Sequence, residues 1–222
     1  MILSLEKNFL FLSVNNTDST SIERALRPYG QLCLTRTEFD KHLTLAEVQE
    51  SYTSLVSKAS GGRPFTFLVF RDPLERLGRL ISSLRECELA NRVGLSPVAI
   101  NPRDFISDWF ANNAMQARSQ AKWLLGLNGA CNVDYVIDFS DLRRQFAEVA
   151  SLIGLDLETD ILPHSIESRA GLSAEERELL HKSSTSRLTE LDSIILGNFS
   201  GRHLSSADRK DMSHLINEAG LR

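Results

Sequence analysis

Short, largely apolar runs alternate along this chain with longer amphipathic stretches. Apolar runs occur at Phe9–Val14, at Phe65–Phe70 and at Val133–Asp138, and a weaker run occurs at Gln31–Thr35. Runs of this length and character are typical of strands that are buried on both faces of a parallel sheet. The pattern therefore predicts four strands.

Helical spacing of apolar positions fills the intervals between these strands. It predicts helices over Ser19–Arg27 and Leu45–Lys58, and a third helix from Pro73 to about Cys87. The first two end near glycines, at Gly30 and at Gly61-Gly62, which are common stop signals. The third begins with a proline, whose missing N–H does no harm in the first turn of a helix.

Capping signals mark the later helices. A helix is predicted over Asp141–Ile153, with Ser140 as its N-cap and Gly154 at its end. Two capping boxes, at Ser173–Glu176 and at Ser205–Asp208, predict the starts of two further helices.

Strands that alternate with helices predict an α/β fold. The expected architecture is a central parallel sheet flanked by helices on both faces. The sequence has no internal repeat and no evident linker, and its 222 residues suit one large domain. Residues 1–222 are therefore expected to form a single domain.

Composition excludes several classes of function. The 25 basic and 29 acidic residues give a formal charge of −4, which argues against a nucleic-acid partner bound over the whole surface. The three cysteines, Cys33, Cys87 and Cys131, are far apart and predict neither a disulfide framework nor a zinc site. Apolar runs are too short to span a membrane, and Glu6 and Lys7 interrupt the apolar N-terminal stretch, so a cytoplasmic protein without a signal peptide is expected.

The loop after the first predicted long strand has the order of a phosphate-binding site. Strand, short polar loop and helix occur in succession here, and the start of a helix presents free N–H groups and a positive dipole end. The loop holds no glycine and no lysine, so it is not a Walker A loop, and nucleotide hydrolysis is not predicted. Three hydroxyls, on Ser19, Thr20 and Ser21, crowd the helix start. Simple N-capping, which needs one hydroxyl, is the alternative to phosphate binding.

The second strand-to-helix junction is rich in arginine. Arg71 and Arg76 lie beside a predicted helix start in the stretch Phe70–Leu77, which reads Phe-Arg-Asp-Pro-Leu-Glu-Arg-Leu. Positions 63–103 hold seven arginines against four carboxylates, a local positive excess in an acidic chain, and this favours an anionic ligand. The alternatives are a pair between Arg71 and a neighbouring carboxylate (Asp72 or Glu75), and a plain surface charge at Arg76.

Together, the loop at Asn15–Ser21 and the stretch at Phe70–Leu77 resemble the sulfotransferases that use the donor phosphoadenosine phosphosulfate (PAPS). In that family a first strand ends in a Pro-Lys-Thr-x-x-Thr-Ser-like loop that holds the phosphosulfate. A later strand ends in Arg-Asp-Pro-x-x-Arg-x-x-Ser, which binds the ribose phosphate. Weaker similarities are found at Gln116–Leu125 and at Asp134–Leu142.

The resemblance implies a P-loop-like sulfotransferase fold, PAPS as co-substrate, no metal, and a hydroxyl acceptor such as a carbohydrate or a small metabolite. It assigns the leaving phosphate to the loop residues Asn15, Asn16, Thr17, Asp18, Ser19, Thr20 and Ser21, and the ribose phosphate to Arg71 and Arg79. It also makes His42 the candidate general base, because carbohydrate sulfotransferases often carry a histidine after the second strand. The ordinary pKa of histidine suits that task. A loop histidine without a partner is the alternative.

Two departures from the family pattern keep a second hypothesis open. Asn16 stands where the family has its loop lysine, and Arg79 stands where it has a serine. Asparagine donates a hydrogen bond but brings no charge to the oxygen that leaves. The resemblance therefore implies either a PAPS-dependent sulfotransferase or a sulfotransferase-like nucleotide-binding or interaction module that has lost catalysis. An ATP-dependent phosphotransferase is disfavoured, because neither a lysine nor an obvious magnesium carboxylate accompanies the loop.

Overall fold

A computed structural model of the chain describes residues 1–17, 19–35, 41–58, 62–86, 119–156, 174, 178 and 186–220. Asp18, Cys87 and three of the four residues of the predicted capping box at 173–176 lie outside the described residues. None of the described helices is both long and apolar enough to cross a membrane.

The described strands form one five-stranded mixed sheet with the order β3-β1-β2-β4-β5. Their bounds are Ile2–Ser4 for β1, Phe9–Leu12 for β2, Leu32–Cys33 for β3, Phe65–Phe70 for β4 and Tyr135–Asp138 for β5. Strands β2, β4 and β5 are parallel to one another, whereas β1 runs antiparallel to both of its neighbours. The α/β class is confirmed, and the prediction of a wholly parallel sheet is wrong.

The antiparallel part arises from a hairpin that the sequence pattern did not predict. A turn of only four residues joins β1 to β2, so the two strands must run in opposite directions. Asn8 ends this turn with φ of 51°, a left-handed conformation that asparagine tolerates better than most residues. The side chain of Gln31 accepts hydrogen bonds from the backbone N–H groups of Leu5 (2.7 Å) and Glu6 (3.3 Å), which holds the turn against the start of β3.

Six α-helices lie in the described residues, most of them close to the predicted positions. Their bounds are Ser19–Leu26 for α1, Leu45–Lys58 for α2, Pro73–Glu86 for α3, Leu142–Leu152 for α4, Ser186–Phe199 for α5 and Ser206–Glu218 for α6. Both predicted ends of α2 are confirmed, and so is the capping box at the start of α6, where Ser205 and Asp208 bond reciprocally. A 3₁₀ turn at Phe139–Asp141 precedes α4, so Asp141 and not Ser140 is its N-cap.

Helices cover both faces of the sheet, as predicted. Strand side chains alternate between two buried clusters, so that Phe11 and Phe67 lie in one cluster while Leu12 and Leu68 lie in the other. The first cluster includes residues of α1 and α4, and the second includes residues of α2, α5, α6 and a 3₁₀ helix at Gln120–Leu124. The strands that lead into the loops at the carboxyl edge are therefore packed on both faces.

The amino edge of the sheet is held by one buried carboxylate. Asp134 is 5% exposed and accepts a hydrogen bond from the Thr66 backbone N–H at 2.8 Å. It also pairs with the guanidinium groups of Arg63 and, at 3.0 Å, Arg209. The carboxylate thus joins the starts of β4 and β5 to helix α6.

We expect Asp134→Ala to lower the free energy of unfolding by about 1.5–3 kcal/mol, the range for a hydrogen bond to a charged group, because it leaves the buried Thr66 N–H without an acceptor. Urea denaturation followed by circular dichroism measures the change. Asp141→Ala is the matched control, because that carboxylate pairs with the exposed Arg144 on the surface. Equal denaturation midpoints for the two variants would contradict this role of Asp134.

Candidate functional site

The carboxyl ends of β2 and β4 form a topological switch point. From β2 the chain leaves through α1 to β3 on one side of the sheet, and from β4 it continues to β5 on the other side. Open α/β sheets bind their ligands in the crevice outside such a pair of strand ends. The two stretches that the sequence singled out, the loop after β2 and the loop after β4, both border this crevice.

The loop after β2 has a fixed shape. Asn16 adopts the left-handed conformation with φ of 59°, and the buried Thr17 donates its hydroxyl to the carbonyl of Val14 at 2.9 Å. The Oδ1 atom of Asn15 is buried and has no hydrogen-bond partner among the described residues. Helix α1 then begins at Ser19, whose side chain is buried. The Thr17 hydroxyl therefore ties the loop back to the end of β2, shortly before α1 begins.

The other two hydroxyls at the start of α1 lie nearer the surface. Thr20 is exposed and Ser21 is half-buried, so of the three hydroxyls only that of Ser19 is enclosed. Thr20 receives a contact that the sequence did not predict, because the ammonium group of Lys41 donates to its Oγ1 at 3.1 Å. A loop that has no lysine of its own thus receives one from the segment before α2.

A buried carboxylate holds Lys41 in place. Glu23, 3% exposed, lies with its Oε2 3.2 Å from the ammonium nitrogen of Lys41. Its Oε1 accepts a hydrogen bond of 2.5 Å from Ser13 and lies 3.6 Å from the amino group of Met1. Burial lowers the pKa of that amino group to about 6. The contacts join the end of β2, helix α1 and the segment before α2 around the Glu23 carboxylate, which pairs with Lys41.

His42 lies beside this ion pair and is oriented by the backbone. Its Nδ1 is 2.8 Å from the carbonyl oxygen of Ser13. Since a carbonyl only accepts, Nδ1 carries the hydrogen, and in the neutral ring Nε2 is the basic atom. Burial lowers the pKa of His42, and the bond to Ser13 offsets this only in part. The histidine is thus neutral at pH 7, and the alternative of a loop histidine without a partner is wrong.

Arg71 follows directly after β4 and is buried, with 3% exposure. Its guanidinium carbon lies 4.2 Å from the ring centroid of Phe139, a cation–π distance, and its Nε lies 3.4 Å from a carboxylate oxygen of Glu75. Asp72 instead caps α3 by accepting from the N–H groups of Leu74 and Glu75, at 3.0 Å each. Of the two predicted carboxylate partners, Glu75 is therefore the one that contacts Arg71.

The remaining arginines of the motif differ from each other. Arg76 is 2% exposed, so the prediction of a surface charge is wrong. Burial lowers the pKa of its guanidinium, and the buried carboxylate of Asp192 on α5 acts in the opposite direction. Arg79 is half-buried one turn further along α3. Arg76 thus belongs to the packing between α3 and α5, while Arg71 and Arg79 remain the candidate anion ligands.

Comparisons with models of protein families, with curated proteins and with solved structures each found no match. Within the described residues, no group of three or more histidine, cysteine, aspartate or glutamate side chains is placed to hold a metal ion.

Proposed function

We propose that this protein is a PAPS-dependent sulfotransferase that moves a sulfuryl group to a hydroxyl acceptor, a carbohydrate or a small metabolite. The observation that carries the proposal is the position of Lys41, whose ammonium group contacts Thr20 at the start of α1. Asn16 leaves the loop without a cation, and Lys41 supplies one from the neighbouring segment. The P-loop-like sulfotransferase fold is part of the same proposal.

The start of α1 would hold the donor phosphate to which the sulfuryl group is attached. Helix N–H groups and the dipole of α1 favour an anion here, and the side chains of Asn16, Ser19 and Thr20 add hydrogen-bond donors. When the bond between sulfur and the bridging oxygen breaks, negative charge develops on that oxygen. Lys41 would stabilise this charge, which is the task of the family's loop lysine.

The new bond to sulfur comes from the acceptor hydroxyl, whose proton must go elsewhere. In the tautomer that the Ser13 carbonyl selects, Nε2 of His42 carries no hydrogen and would take that proton. The products are then the sulfate ester and adenosine carrying two separate phosphate groups, with the proton on His42. No metal ion enters this scheme.

A second anion position would lie one strand away. Strands β2 and β4 are neighbours, and adjacent strands lie about 4.8 Å apart, so the loop after β4 stands beside the loop after β2. Arg71 and Arg79 would bind the ribose phosphate there. Two separated anion positions suit adenosine with two separate phosphates better than a linear triphosphate.

One observation favours the second candidate, a binding module without catalysis. The carboxylate of Glu23 pairs with Lys41 at 3.2 Å, so less positive charge is available for the leaving oxygen. Both candidates predict donor binding, and only the enzyme predicts transfer. Labelled sulfate passed from PAPS to a panel of sugar hydroxyls separates them.

Calorimetry tests donor binding. We expect the desulfated donor, adenosine with two separate phosphates, to bind more tightly than ATP. Arg71→Ala should weaken its binding by about 1.5–3 kcal/mol, the range for a hydrogen bond to a charged group. Arg144→Ala is the matched control, since that arginine is exposed on α4. ATP binding as tight as that of the bisphosphate would overturn the sulfotransferase proposal, and an unchanged affinity in a folded Arg71→Ala variant would remove Arg71 from the site.

A further inference from the structure

The backbone of Arg71 is bound by a single side chain from a distant part of the sequence. Arg71 N–H donates to Oε1 of Gln120 at 3.0 Å, and Nε2 of Gln120 donates to the Arg71 carbonyl at 2.8 Å. Gln120 is fully buried. A side-chain amide carries both a donor and an acceptor, so one glutamine pairs with Arg71 as a neighbouring strand would.

These two hydrogen bonds lie directly after the last residue pair of β4 and β5. The pairing of β4 with β5 stops at Phe70 and Asp138, so the backbone of Arg71 lies one residue beyond that ladder. Buried backbone groups without a partner are costly, and Gln120 satisfies both of those on Arg71. The arginine whose guanidinium packs on Phe139 is thereby fixed at its backbone by contacts independent of the sheet.

Gln120 is itself bound by Asp192, a residue of α5 that is only 1% exposed. One carboxylate oxygen accepts from the Gln120 backbone N–H at 2.9 Å and lies 3.4 Å from its Nε2. The other accepts from the Ser119 hydroxyl at 2.5 Å and from Ala121 N–H at 3.1 Å. Four donors converge on one buried carboxylate, with the charge of Arg76 nearby to compensate it.

We infer that Gln120 and Asp192 are positioning residues, a buried clamp that fixes Arg71 for the ribose phosphate of the donor. This inference rests on the proposed function for what Arg71 binds, and on the geometry alone for what the clamp does. The clamp carries no charge to the ligand. It acts through Arg71, by holding the backbone from which the guanidinium extends.

Gln120→Met tests the clamp, because methionine keeps the length of the side chain and removes both hydrogen bonds. In the ligand-free protein, exchange of the Arg71 backbone N–H and of its Nε–H, followed by NMR, should speed up at least tenfold. The affinity for adenosine with two separate phosphates should fall on the order of tenfold, the lower end of the loss seen when a group that orients a metal ligand is removed. Gln145→Met is the matched control, since Gln145 is also buried and accepts from Asp138 N–H (2.7 Å) at the end of β5.

A double-mutant cycle separates positioning from general destabilisation. If Gln120 acts through Arg71, Gln120→Met should cost no further affinity when Arg71 is already alanine. Additive losses, or equal losses in Gln120→Met and Gln145→Met, would overturn the inference. Unchanged exchange at Arg71 in Gln120→Met would overturn the inference, whether or not the protein binds the bisphosphate. A wild type that binds no bisphosphate would contradict only the proposed function.

Discussion

Replacing His42 with glutamine is expected to lower kcat for sulfuryl transfer by about 10²–10⁴-fold, the usual contribution of a general base. Glutamine can still donate a hydrogen bond to the Ser13 carbonyl, so the loop should keep its shape while the base is lost. Initial rates with labelled PAPS give the change in kcat, and calorimetry with the desulfated donor should show little change in affinity. His214→Gln is the matched control, because His214 is exposed on α6.

The pH profile gives an independent reading of the same residue. Burial lowers the pKa of His42, so its basic form should dominate at neutral pH and the wild-type rate should be level there. The rate should fall on the acid side, and His42→Gln should lack this acid limb. A wild-type profile that still rises between pH 7 and 8 would contradict His42 as the base.

The lowered pKa of His42 also affects stability. Between the folded pKa of His42 and 6.5, the unfolded chain binds more protons than the folded one, so stability should fall as the pH drops through this window. His42→Gln should remove part of that dependence. The amino group of Met1, with its pKa near 6, titrates in the same range, so the comparison must be between the wild type and the variant.

Replacing Lys41 is expected to lower kcat by about 10²–10³-fold, the loss seen when one stabilising donor is removed from a developing oxyanion. Lys41→Met alone would leave the buried carboxylate of Glu23 with only the Ser13 hydroxyl and the Met1 amino group beside it, and breaking a buried pair in this way costs about 3–5 kcal/mol. The informative variant therefore combines Lys41→Met with Glu23→Gln, which removes the pair together. Glu23→Gln alone is its control, since it keeps the cation and leaves an amide oxygen that can still accept from the Lys41 ammonium group.

Rates of sulfate transfer for these variants distinguish the two candidate functions. For an enzyme, the double variant should be slow while Glu23→Gln retains activity, and kcat should change more than KM because the cation acts on charge that grows in the transition state. A folded double variant that works at the wild-type rate would remove Lys41 from the mechanism. If the wild type binds the desulfated donor and no acceptor is sulfated, the binding module is the better description.

The parts of the fold that sequence predicted correctly are those fixed by local patterns. Strand β4 is a continuous apolar run next to a Gly-Gly-Arg-Pro entry, and its two ends are confirmed. Helix α2 begins and ends where its periodicity does. Strand β1 cannot be predicted in this way, because its three residues are too few to show a period. Glu6 and Lys7 lie in the hairpin turn, and in the sequence they only interrupt an apolar stretch.

In the candidate site, too, only the residues next to a local pattern could be predicted from the sequence. The loop after β2 and Arg71 could be found because each stands next to a strong strand signal. Lys41 could not, because its partners Thr20 and Glu23 lie about twenty residues earlier in the chain and meet it only after folding. Gln120 contacts Arg71 across 49 positions. Long-range polar contacts of this kind leave no periodicity in the sequence.

The two ends of β4 make different demands on substitutions. Thr66, bound to Asp134, stands near one end, and Arg71 follows the other, five residues away. At about 3.3 Å per residue the two lie roughly 16 Å apart. Mutations separated by this distance and sharing no partner generally have additive effects on stability, to within about 0.3–0.5 kcal/mol. Substitutions around Asp134 that raise the free energy of unfolding should therefore leave the carboxyl edge unchanged. In such a background, destabilising changes at Lys41 or Gln120 can be measured while the protein stays folded.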